Sequence, residues 1–190
     1  MHSIQRTKAV VLNSFPFGES DKQLLLLTEK YGMIRVRAQG IRKEKSKLKQ
    51  SIQEYSFCEV SLVHGKAGWR LTNALFEFNI LFEVQNSDVK VAIVRVLDLV
   101  SKLVIDQAED DEIYSIVDQF ISLALDKEGI DSKQYETVFL LNILGKLGYV
   151  DMNPFIDILN SNSFEGVKEE QIKKMTVVIN QGIRESGLLK

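Results

Sequence analysis

Up to Phe78 the apolar positions recur in short runs with a period of two. Thr7 to Leu12 (TKAVVL), Leu24 to Thr28 (LLLLT) and Met33 to Ala38 (MIRVRA) are separated by turn chemistry at Pro16-Phe17-Gly18 and Tyr31-Gly32. In the third run Ile34, Val36 and Ala38 alternate with Arg35 and Arg37, so one face points to a core and two guanidinium groups share the other. The same alternation sends Cys58, Val60 and Leu62 inward and Glu59 and Ser61 outward. His64-Gly65-Lys66-Ala67-Gly68 then supplies a hairpin turn before Trp69-Arg70-Leu71-Thr72 resumes the extended pattern. Short strands at this spacing, with one polar insertion from Gly40 to Gln53, predict a small closed or nearly closed barrel. The OB type fits best, although the pattern alone leaves an SH3-like barrel and the strand order open.

After Phe78 the period changes to three or four. Lys90 to Ile105 is apolar nearly all round, with Arg95, Asp98 and Lys102 as a narrow polar stripe, and reads as a central helix. Glu109 to Glu112 gathers carboxylates where a helix dipole favours them, and Ile113, Ile116, Val117 and Phe120 follow at helical spacing. Asp131 with Gln134 resembles a capping box ahead of Phe139, Leu140, Ile143, Leu144 and Leu147, with Gly148 as the stop. Asn153-Pro154 opens a short helix to about Leu159, and Lys168 to Glu185 forms a last helix with Ile172, Met175 and Ile179 buried. The fold class expected is α+β: an all-β N-terminal OB-fold barrel over residues 1–78, then an all-α helical domain over 79–190.

Composition adds one decisive fact. The net charge of −2 conceals a division: 13 Lys and Arg against 7 Asp and Glu up to Phe78, and 11 against 19 after it. The first half therefore faces a polyanion. With 45% hydrophobic residues, disorder is excluded. The apolar helices are interrupted too often to span a membrane. One cysteine and no leader pattern predict a cytoplasmic chain.

Catalytic signatures do not emerge. His2 and His64 have no partner at metal-ligand spacing, Cys58 sits on an apolar strand face, and phosphate-loop, dinucleotide and nucleophile-elbow motifs are missing from the sequence. No enzyme activity, cofactor or metal is expected. The dense signal is Gly40 to Gln50 (GIRKEKSKLKQ), five cations against one anion, following a strand that already displays Arg35 and Arg37. Each phosphate neutralised releases counterions, so Arg35, Arg37, Arg42, Lys43, Lys45, Lys47 and Lys49, helped by Lys66 and Arg70, form a candidate nucleic-acid track. Tyr55, Phe57 and Trp69 are candidate stacking rings, though each also suits a barrel core.

Phe17-Gly18-Glu19-Ser20-Asp21, then Leu26-Leu27-Thr28-Glu29-Lys30-Tyr31-Gly32, then Ala38-Gln39-Gly40-Ile41-Arg42-Lys43 with Ser46-Lys47 resemble in order and spacing the N-terminal signature of RecO, the bacterial recombination mediators. A weaker likeness continues through Phe139 to Tyr149, ending in Leu-Gly-Tyr, and Ile179 to Ser186. The resemblance implies a DNA-repair protein of the nucleoid that binds single- and double-stranded DNA and anneals complementary strands. Its implied partners are RecR, single-strand DNA-binding protein and, indirectly, RecF and RecA. Many members carry a four-cysteine zinc site after the Leu-Gly-Tyr helix; Val150 to Gly166 holds no cysteine, so a shortened, zinc-free member is expected. A protein-docking adaptor and an RNA-binding barrel remain as rival readings of the same residues.

Overall fold

The computed structural model describes residues 3–43, 46, 48–103, 112–160 and 167–187. The chain divides at Glu83, and again at Leu103 and Ser115, into two compact units, one holding a barrel and the other most of the helices.

The barrel has five strands: β1 (Ile4–Phe17), β2 (Asp21–Thr28), β3 (Gly32–Ala38), β4 (Ser56–Gly65) and β5 (Gly68–Asn79). They close in the order β1-β2-β3-β5-β4, with β1 returning to β4. Neighbours are antiparallel except β3 and β5, which run parallel with Val36 opposite Trp69 and Arg37 opposite Arg70. This order is that of an OB-type barrel, and it settles the choice against the SH3-like alternative. Val11, Leu24, Leu26, Val36, Val60 and Leu62 fill the interior, while Arg35 and Arg37 point outward as their alternation requires.

The strands are longer than the apolar runs suggest. β1 continues through Pro16 and Phe17, which the sequence places in a turn. Beyond Val10 it no longer pairs with β4, so the missing N–H of Pro16 faces a free edge and breaks no ladder. At the β2–β3 turn the buried Thr28 hydroxyl donates to the Gly32 carbonyl (2.8 Å) and accepts the Tyr31 N–H (3.0 Å), with Gly32 at φ 58°. Asn79, 2% exposed, ends the barrel. Its amide donates to the Glu54 carbonyl and the Ser56 hydroxyl, and its oxygen accepts the Leu81 N–H that starts α1 (Ile80–Glu83).

The second unit is built on α2 (Ser87–Leu103), α3 (Glu112–Asp126) from Ile116 onward, α4 (Ser132–Lys146), a 3-10 turn (Asn153–Phe155), α5 (Ile156–Asn160) and α6 (Glu169–Glu185). The expected central helix is α2, but it buries one face only, through Val89, Ala92, Ile93, Val96, Leu97 and Val100, and leaves Val91 exposed. The more deeply buried helix is α4, which encloses Tyr135, Thr137, Val138, Phe139, Leu141, Ile143 and Leu144, packs against α2 and α6 and stacks Phe139 on Phe120. Asp131 caps α4 by accepting the Gln134 N–H (2.7 Å). Its end is a Schellman turn, with Gly148 at φ 78° and the Tyr149 N–H reaching the Leu144 carbonyl, which explains the Leu-Gly-Tyr ending. Asn153 is the first residue of the 3-10 turn, Met152 stands at the N-cap position without a side-chain cap bond, and the Asp151 carboxylate accepts the Asn153 N–H. The acidic run before Glu112 lies outside the described residues. No helix among the described residues is long and apolar enough to cross a membrane.

Thr28→Val strands a buried donor and acceptor, and is expected to cost about 1–3 kcal/mol in urea denaturation. A β-carbon at Gly182 would sit 2.9 Å from the Tyr149 carbonyl and 2.8 Å from Val150 Cγ2, so Gly182→Ala is expected to destabilise the helical unit by about 1–3 kcal/mol in the same measurement.

Candidate nucleic-acid interface

One carboxylate organises the basic side of the barrel. Asp21, the first residue of β2, accepts the Gly40 N–H (2.8 Å) and the Ser20 hydroxyl (3.2 Å) on Oδ1. Its Oδ2 accepts Arg37 Nε (2.9 Å) and pairs with Arg37 Nη2 (2.8 Å). The Gly40 N–H, and after it the Arg37 guanidinium, hold this carboxyl below its ordinary value. Gly40 sits at φ 64°, which aims its N–H at Asp21 and turns the chain out of β3 at little steric cost. Next along the chain, the Arg42 N–H donates to the Ser20 carbonyl (2.9 Å) and Arg42 Nη1 to the Gly18 carbonyl (3.2 Å). The β1–β2 turn, the end of β3 and the segment after it are thereby tied together.

Two basic surfaces meet at this joint. On the outer wall, ladder pairing aligns Phe15 with Gln23, Gln23 with Arg37, and Arg37 with Arg70, while Arg35 lies two residues back on the same face of β3. The Arg37 guanidinium rests 4.8 Å from the centre of the Phe17 ring. At the mouth of the barrel, Ile41 and Ile52 plug the core and floor a cavity of about 470 Å³. Lys22, Arg42 and Lys49 line it with Ser14, Gln53 and Glu54. Lys22 Nζ donates to Ser14 Oγ (3.1 Å), and that hydroxyl donates to Glu54 (3.1 Å).

The expected track is thus partly assembled. Arg35, Arg37 and Arg70 share the wall, Arg42 and Lys49 line the mouth, and the Lys43 stem lies over Gly40 between them. Lys66 stands apart. It sits in the β4–β5 turn, and the parallel pairing of β5 with β3 carries that turn toward the opposite end of the barrel. Lys45 and Lys47 lie outside the described residues. The structure adds Lys22, which the charge pattern of the sequence does not single out; counting inward positions back from Leu24 reaches it, and beyond the barrel's end that row becomes the mouth.

The comparisons with known proteins bear on this half of the chain. The family described as "Recombination protein O N terminal" matches residues 1–74, the barrel strands up to the middle of β5. The chain is 40% identical over 62 residues to DNA repair protein RecO of Dehalococcoides mccartyi (strain ATCC BAA-2266 / KCTC 15142 / 195), covering 33% of this chain and 24% of that protein. It is 42% identical over 65 residues to that of Clostridium novyi, covering 34% and 25%. To that of Desulfitobacterium hafniense (strain DSM 10664 / DCB-2) it is 25% identical over 146 residues, covering 77% of this chain and 52% of the relative. The chain is thus similar, over residues 1–74, to the N-terminal part of the RecO family. It spans between a quarter and about half the length of these relatives.

Five residues of the RecO-like signature, Gly18, Ser20, Asp21, Gly40 and Arg42, take part in the joint, together with Arg37 from outside it. Of the rings expected to stack on bases, Phe57 is 2% exposed and stacked on Phe78, and Trp69 packs on the core beside Tyr31 and His64. Tyr55 is half-buried at φ 64°, its N–H held by the Val11 carbonyl. Besides Phe76 on β5, 50% exposed, and Phe82 on α1, 69% exposed, the exposed phenylalanines among the described residues are Phe15 and Phe17 on β1, each 44% exposed. Their place beside Pro16 hides them in an expected turn. Cys58, the chain's only cysteine, is buried in the barrel with its thiol pushed up to about 12 by burial, so these residues do not fit the four-cysteine zinc site of many RecO proteins. Among the described residues no group of three His, Cys, Asp or Glu is placed to hold a metal ion.

Because folding lowers the Asp21 pKa, its contribution to stability is fully present above the unfolded carboxylate value near ~4 and is lost as pH falls through the folded value. Asp21→Asn is therefore expected to destabilise the chain at neutral pH, with the gap to the unmodified chain narrowing as urea titrations move into the acid range. A gap that does not change with pH would mean that the ionised carboxylate is not what matters.

Proposed function

We propose that the barrel binds the sugar-phosphate backbone of single- and double-stranded DNA, and that the chain acts as a recombination mediator in DNA repair. The observation that carries this reading is the meeting of two cationic surfaces at the Asp21 joint, Arg35, Arg37 and Arg70 on the wall and Lys22, Arg42 and Lys49 around the mouth. Arg37 and Arg70 stand side by side in the ladder, an arrangement that costs energy in the free protein and that a bound phosphate relieves. Asp21 neutralises Arg37 locally, so Arg35, Arg70, Lys22, Arg42 and Lys49 supply most of the field. Similarity of residues 1–74 to the N-terminal part of a family of DNA repair proteins supports the same ligand.

The mode of action follows from the charge. Neutralising two phosphate backbones lets complementary strands approach and pair, so annealing needs positioning and no bond chemistry in the protein. The role extends, by the family's pattern, to work with RecR, and indirectly RecF, in loading RecA onto DNA coated by single-strand DNA-binding protein. In this reading the chain has no catalytic turnover and is associated with the nucleoid in the cytoplasm.

The test is the salt dependence of DNA binding. Replacing Arg35, Arg70, Arg42 and Lys49 together by Gln is expected to weaken binding to a single-stranded oligonucleotide strongly at low salt. The slope of log K against log[salt] should become shallower by about 3, at roughly 0.7 for each phosphate that is no longer neutralised. An unchanged slope would show that the DNA track lies elsewhere, and tighter binding of a matched RNA strand would favour an RNA ligand.

A further inference from the structure

We infer that Phe15 and Phe17 form a stacking platform for unpaired bases, which gives the barrel a preference for single-stranded over double-stranded nucleic acid. The inference rests on the DNA-binding reading above and assigns a part of that surface which charge alone does not explain. Phosphate contacts form with paired and unpaired strands alike; base faces are open to stacking only in unpaired ones.

Two phenylalanines are exposed where a barrel has no need of them. Phe15 and Phe17 lie two residues apart on an unbulged stretch of β1, opposite Gln23 and Asp21, so both rings stand on the outer face of the β1–β2 hairpin. Each is 44% exposed, although the strand's other face supplies the core. The cations are arranged around them. Arg37 lies over Phe17 at 4.8 Å and is itself held by Asp21 through both Nε and Nη2, so ring and guanidinium are fixed before any ligand arrives. Gln23 stands between Phe15 and Arg37 in the row, and Arg70 follows Arg37.

Planar apolar faces beside fixed cations suit a nucleotide, whose base is flat and whose phosphate is anionic; an apolar protein surface would bring no anion for the Arg35, Arg37 and Arg70 row. In a duplex the base faces are covered by their neighbours, so only an unpaired strand gains from the rings.

The experiment uses the full chain and three probes matched in length: an oligo-dT strand, a strand of abasic sites with the same phosphates, and a duplex. The unmodified chain should bind oligo-dT more tightly than the abasic strand. Phe15→Ala with Phe17→Ala is expected to weaken oligo-dT binding about ten-fold or more, while abasic and duplex affinities and the salt slope stay unchanged. Trp at both positions should retain the preference; Leu, which keeps apolar area without a π face and guards against a folding defect of the Ala pair, should lose it. Equal loss on all three probes, or oligo-dT binding unaffected by the Ala pair, would overturn the platform and leave the phosphate track standing. Failure of the unmodified chain to bind any probe would overturn the DNA-binding reading itself.

Discussion

The carboxylate of Asp21 is the joint on which the basic side of the barrel depends. Its neighbour Ser20 in the β1–β2 turn, Arg37 of β3 and Gly40 just beyond that strand all send donors to it. Each donor alone is an ordinary hydrogen bond or a partly exposed ion pair, worth little in isolation. Converging on one group, they fix the direction in which the chain leaves β3, and with it the places of Arg42 and of Ile41, the plug of the barrel mouth. An aspartate, a glycine able to hold a positive φ, and an arginine on the outer face of β3 are jointly required. That requirement gives a physical reason for the two separated stretches of the family signature to occur together.

Closure of the barrel sets the second constraint. Because β5 joins β3 in parallel, Arg70 is brought beside Arg37, and a row of like charge is built into the wall. A sheet selected only for stability would avoid such neighbours. In the proposed function a bound anion would offset the cost of these neighbours, which the one carboxylate that neutralises Arg37 already moderates. The same closure turns the Lys66 hairpin away from the mouth, which separates that cation from the others despite its closeness to Arg70 in sequence.

Much of this is legible from residue order. The alternation of Ile34, Val36 and Ala38 with Arg35 and Arg37 holds in three dimensions, and so do the hairpin at Gly65 to Gly68 and the stop at Gly148. Residue order misleads where tertiary context decides. Proline at position 16 looks like the end of a strand, yet β1 runs past it because its outer edge has no partner there, and so Phe15 and Phe17 do not stand out as exposed rings. Lys22 escapes notice because an inward position at the end of a barrel is no longer in the core. α2 looks central from its narrow polar stripe, but α4, with a threonine among its enclosed positions, is the more deeply buried helix. Trp69 draws attention as an aromatic in a basic context, and its packing against Tyr31 and His64 cannot be read without the strand order.

The central claim is that the wall and the mouth, joined at Asp21, form a single surface for a nucleic-acid backbone. Amide chemical-shift mapping by NMR during titration with a single-stranded oligonucleotide addresses it most directly. Shifts should concentrate at residues 15–22, 35–43 and 69–70, with the β4–β5 turn at Lys66 and the α4–α6 region unaffected. Shifts confined to the helical unit, or centred on the Lys66 end of the barrel, would contradict it.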